Sequence, residues 1–80
     1  MIQGVQMIKV NFKEVSLQDE NIYVFTDSNG NTYQLYIDSR AKSIEGLSPD
    51  FWDKFYFSEK ITVDYKSEEH ARIITKILSY

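Results

Sequence analysis

His70 is the single imidazole of the chain and stands among Asp64, Glu68 and Glu69, residue types that serve as general base or metal ligand near neutral pH. That chemistry needs a nucleophile or a second ligand at a fixed spacing. The sequence places neither, so the expected role of His70 is that of a solvated side chain in a charged turn. Serine and threonine are plentiful, but none sits in a G-x-S-x-G elbow. With no cysteine there is no thiolate nucleophile, no Cys-based zinc site and no disulfide framework.

Asp27-Ser28-Asn29-Gly30-Asn31, with Asp38 further on, offers several oxygen ligands in a short span. A calcium loop of the EF-hand kind needs glycine at its sixth position between two helices. Here Gly30 is the fourth residue from Asp27 and its flanks read as strands. The three glycines, at positions 4, 30 and 46, are too far apart to cradle a phosphate. The expectation is a protein with no catalytic residues, no metal and no small-molecule cofactor.

What remains is an aromatic surface. Six tyrosines, five phenylalanines and one tryptophan are many for 80 residues, and rings are both core material and stacking platforms. Tyr23, Phe25 and Tyr36, with Gln34 between them, form the candidate binding face. Lys13, Arg40, Arg72 and Lys76 are the candidate cations beside it.

The elements that must hold this face begin with a strand. From Val5 to Phe12 the pattern alternates, with Ile8, Val10 and Phe12 on one side. Val15 and Leu17 then continue one residue out of step, which predicts a β-bulge near Lys13-Glu14. Two β-prone runs, Ile22 to Thr26 and Thr32 to Ile37, flank Asn29-Gly30, the sequence of a type I′ hairpin turn. With Asn29 and Gly30 as the two central residues, Thr26 pairs with Tyr33, Phe25 with Gln34, Val24 with Leu35, Tyr23 with Tyr36 and Ile22 with Ile37. Ile22, Val24, Tyr33, Leu35 and Ile37 then face the core, and Tyr23, Phe25 and Tyr36 face outward. A three-residue loop shifts this pairing by one.

Asp38 to Leu47 reads as a connection with one helical turn. Ser48-Pro49-Asp50 then starts a helix, with a hydroxyl N-cap, proline at the first position and an acid in the first turn. Phe51, Trp52, Phe55 and Tyr56 make its apolar stripe. Asp50 and Lys54 can pair across one turn, and Phe57 is expected to end the helix by folding under the loop. Ile61, Val63 and Tyr65 alternate as a fourth strand. Residues 68–78 keep helical spacing at Ala71, Ile74, Ile77 and Leu78, yet Arg72 to Ile77 is rich in β-branched residues; a fifth strand is the preferred reading.

The order of a long bulged strand, two more strands, a helix and two strands resembles the OB-fold, a five-stranded barrel with a helix between its third and fourth strands. The fold class is thus mainly β, with residues 1–80 as one small OB-like domain. A C-terminal helix instead gives an α+β domain with a four-stranded antiparallel sheet. The resemblance implies that the face around the second and third strands meets oligonucleotides or oligosaccharides. Net charge is −3 and the nine basic residues are scattered, which disfavours recognition by phosphate neutralisation. The leading expectation is therefore a non-enzymatic module for protein–protein interaction or homo-oligomeric assembly through the aromatic face. Single-stranded nucleic acid on the same face is the alternative. Without an apolar leader or a run of about 18 apolar residues, no membrane partner is expected and the chain reads as cytoplasmic.

Overall fold

The computed structural model describes residues 7–80; Val5, the expected start of the first strand, lies outside them. Five strands and one short helix follow in order: β1 (Met7–Val15), β2 (Ile22–Thr26), β3 (Thr32–Tyr36), α1 (Pro49–Lys54), β4 (Ile61–Ser67) and β5 (Arg72–Ser79). The strands close into a barrel in the order β1-β2-β3-β5-β4, and β4 pairs back onto β1. Among the described residues no helix is long and apolar enough to cross a membrane.

β1 serves both halves of the barrel. Its first part, Met7 to Val10, pairs with β4, and its second part, Asn11 to Val15, pairs with β2. The register shifts between Phe12 and Glu14, so the expected bulge is present and bends the strand from one partner to the other. The C-terminal segment is the strand β5, antiparallel to β4. Its β-branched residues fill the core: Ile74 is 1% exposed, and Ile77 is also buried opposite Val63.

The β2-β3 register differs from the two-residue-turn pairing by one. Phe25 pairs with Tyr33, Tyr23 with Leu35 and Ile22 with Tyr36. The reason lies in the turn. A type I′ turn needs positive φ at both central residues, and among the described residues no non-glycine residue has one; Gly30, at φ +84°, does. The Gly30 N–H donates to the Asp27 carbonyl at 3.1 Å, and the Asp27 N–H donates to the Asn31 carbonyl at 3.1 Å. This is a three-residue loop ending in a left-handed glycine. Asp27 sets it: its carboxylate accepts from the backbone N–H groups of Asn29 (2.8 Å) and Asn31 (3.0 Å), the Asn31 amide (3.0 Å) and the Tyr33 hydroxyl (2.8 Å).

The consequence is a correction of faces. Tyr23 and Phe25 turn inward with Tyr33 and Leu35, while Ile22 and Val24 turn outward with Gln34 and Tyr36. Phe25, Tyr33 and Leu35 are buried, and Tyr23 packs against the same core half-buried.

The helix starts as expected. The Ser48 hydroxyl accepts from the Phe51 N–H at 3.3 Å, Pro49 opens the first turn, and Asp50 pairs with Lys54 at 3.4 Å. Phe51 and Phe55 face the core. The helix stops at Lys54, however, and Phe57 does not fold under the loop; it is 82% exposed. The single helical turn expected before it is a 3-10 turn at Ser39–Ser43.

Asp27 makes the fold acid-sensitive. Partial desolvation raises its carboxyl, but the hydrogen bonds from Asn31, Tyr33 and Asn29 outweigh it and hold the pKa at about 2, below the ordinary 3.8. A depressed carboxyl contributes stability above its unfolded value and loses it as pH falls toward the folded value. Urea midpoints are therefore expected to fall between about pH 4 and pH 2, less steeply in Asp27→Asn. Equal slopes in the two proteins would count against this role for Asp27.

Candidate functional site

The shifted register splits the expected aromatic face in two. Tyr23 joins an interior ring cluster, with centroids 5.3 Å from Phe12, 5.8 Å from Trp52 and 5.5 Å from Phe55. Phe25 lies 5.5 Å from Phe12 in the same cluster. Tilted and edge-to-face contacts of this kind add about 0.5–1.5 kcal/mol per pair beyond burial. Of the three expected platforms only Tyr36 stays on the outside of the barrel, beside Gln34.

The outer side of Tyr36 is taken by Arg40, whose guanidinium carbon lies 3.8 Å from the ring centroid. Arg40 comes from the 3-10 turn, and Asp38 caps that turn by accepting from the Arg40 N–H at 3.0 Å. The same carboxylate accepts from Arg40 Nε at 2.9 Å and Nη2 at 2.6 Å, and Asp19 lies 3.6 Å from Nη2. These bonds hold Asp38 at about 2 and raise Arg40 further above its usual value. Arg40, stacked on Tyr36, is therefore already neutralised by two carboxylates.

Two hollows follow each other along the outer side of β3. One, of about 240 Å³, is lined by Tyr36, Arg40, Lys66, Ile73 and Thr75 among others. The next, of about 320 Å³, is lined by Thr32, Gln34, Arg72 and the β4-β5 turn. The structure thus brings Gln34, Tyr36, Arg40 and Arg72 to neighbouring positions. It does not bring Tyr23, Phe25 or Lys13 there; Lys13 stands at the bulge of β1. Lys76 is half-buried on β5, opposite Asp64. His70 is exposed in the β4-β5 turn, 3.7 Å from the Glu69 carboxylate. Among the described residues no three His, Cys, Asp or Glu are grouped to hold a metal ion.

The exposed aromatic surface lies elsewhere. Tyr56 is 67% and Phe57 82% exposed, their centroids 5.5 Å apart, and Tyr56 lies 5.7 Å from Phe12. Val15, the cross-strand partner of Tyr23, is 40% exposed beside the same cluster. Helical spacing from Trp52 put Tyr56 on the buried stripe. Because α1 ends two residues earlier, the chain leaves the core with both rings on its outside. The signal in the sequence is the unbroken run Phe55-Tyr56-Phe57, longer than one helix face accommodates.

Set beside protein-family models, curated proteins and solved structures, the chain matches none of them.

Proposed function

We propose that this chain is a non-enzymatic cytoplasmic binding module on an OB-like barrel plan. It recognises a protein surface, first of all a second copy of itself, through the aromatic edge beside α1. The barrel order, with β3 beside β5 and a helix between β3 and β4, supports the plan. One observation carries the choice of partner: Tyr56 and Phe57 present adjacent rings to solvent, continuous with the Phe12-Tyr23-Phe55 cluster. Exposed aromatic anchors at the edge of a packed core are typical of protein contacts, where such residues dominate the binding energy.

Light scattering over a wide concentration range tests this. The wild-type mass is expected to rise above the 9.4 kDa of one chain. The Tyr56→Ser, Phe57→Ser double variant, with unchanged circular dichroism, is expected to dissociate at least about tenfold more readily. A wild-type protein that stays at 9.4 kDa at millimolar concentration would rule out self-assembly.

A second reading, single-stranded nucleic acid, is favoured by the Tyr36-Arg40 stack on the outer face of β3. Its weakness is charge, since Asp38 and Asp19 occupy the guanidinium that a phosphate needs. Oligo-dT at low salt, with the Tyr36 and Arg40 amide signals as readout, decides it: saturable shifts support nucleic acid, and unmoved signals exclude it.

A further inference from the structure

We infer that the hollow between β3 and the β4-β5 turn is a recognition site for a single carboxylate group carried by a protein partner. It shares no residue with the aromatic edge and goes beyond the reading above. The hollow, of about 320 Å³, is lined by Thr32 and Gln34 of β3, Ser67 at the end of β4, and Arg72 at the start of β5.

The chain has two arginines. Arg40 is held by two carboxylates, whereas Arg72 has no carboxylate partner among the described residues. It is half-buried, with its guanidinium carbon 5.7 Å from the centroid of the Tyr33 ring. A guanidinium is a planar fork of donors that matches a carboxylate with two parallel bonds and stays charged at every physiological pH. Removing it partly from water without an ion partner costs free energy, which an incoming carboxylate returns. Thr32, Gln34 and Ser67 line the same hollow, and among the described residues their side chains make no hydrogen bond, so a hydroxyl, an amide and a second hydroxyl can donate there.

The rim selects a lone negative group over a polyanion. Glu68 and Glu69 border the hollow; Lys66 neutralises Glu68 at 3.3 Å, and among the described residues only His70 faces Glu69. Arg72, the cation of this hollow without a carboxylate partner among the described residues, accommodates one carboxylate, whereas a run of phosphates meets the glutamates and a chain of net charge −3. An acidic side chain and a chain-terminal carboxylate share this chemistry.

The test is an NMR titration of the labelled full chain at constant ionic strength. N-acetyl-aspartate amide probes a side-chain carboxylate and N-acetyl-glycylglycine a terminal one; the tighter of the two names the source. Saturable shifts at Thr32, Gln34 and residues 67–72 are expected, weakened at least about tenfold by Arg72→Gln. Gln34→Ala, on the barrel's outer face, is expected to weaken binding about threefold and serves if the arginine variant fails to fold. The proposal is overturned if neither probe gives saturable shifts, or if the affinity is unchanged in Arg72→Gln or, where that variant does not fold, in Gln34→Ala. Inorganic phosphate or oligo-dT binding more tightly than both carboxylates also overturns it, in favour of phosphate recognition.

Discussion

Phe25→Ala is expected to remove about 3–5 kcal/mol of folding stability, the range for emptying a buried phenylalanine site. Phe25 is 1% exposed, and its ring meets Phe12 at 5.5 Å and Phe55 at 6.2 Å. A chain of this length has about 4–12 kcal/mol in total, so the variant would stand close to unfolding at room temperature. Val24→Ala, one residue earlier and facing out of the barrel, is expected to cost within about 1 kcal/mol. The two-residue-turn register predicts the reverse order, with Val24 inside and Phe25 outside. Urea denaturation of the pair separates the registers, and a larger loss for Val24→Ala would overturn the one described.

The second large effect is expected at Gly46. This residue follows Glu45, which straps the connection onto β5: the Glu45 N–H donates to Thr75 at 3.1 Å, and the Ile77 N–H donates to Glu45 at 2.7 Å. Gly46 has φ +79°, and a Cβ there would meet the Ile77 carbonyl oxygen at 2.1 Å. Left-handed backbone costs a side chain about 1–2 kcal/mol; the clash with main chain adds to it, because that oxygen cannot move without displacing β5. Gly46→Ala is expected to cost about 3 kcal/mol or more. Gly30→Ala provides the comparison: φ is +84° there too, but nothing lies within 4 Å, so only the backbone cost of about 1–2 kcal/mol applies. Equal losses at the two glycines would show that the contact with Ile77 does not matter.

Much of the architecture was written in local pattern. The slip from Phe12 to Val15 marked the bulge, Ser48-Pro49-Asp50 marked the helix start, and the β-branched run of Arg72 to Ile77 marked β5, because each signal depends on neighbours a few residues apart. The faces of β2 were not legible in the same way. Alternation says that Tyr23 and Phe25 share one side and Ile22 and Val24 the other; which side is buried depends on one backbone angle at Asn29 and on the four hydrogen bonds that Asp27 collects. The candidate site moved with that angle. Tyr36 and Gln34 face outward in either register because Tyr33 and Leu35 hold the inner side of β3, and the rings of Tyr56 and Phe57 are exposed because α1 ends earlier than its apolar stripe.

The joint between β3 and β5 bears on how the chain reaches this state. β1, β2 and β3 follow one another as a meander, and β4 and β5 form a second hairpin, so each half can assemble from segments close in sequence. The halves meet along the β1-β4 pairing and again through the parallel pair Gln34-Ile73 and the strap at Glu45, contacts that all link residues far apart along the chain. Bringing them together carries the loop-closure entropy that local pairing avoids. Zipping up this seam is thus expected to be the slow event in folding, and stopped-flow refolding of Gly46→Ala reads it. Slower refolding places the seam in the rate-limiting step, whereas unchanged refolding with faster unfolding places it afterwards.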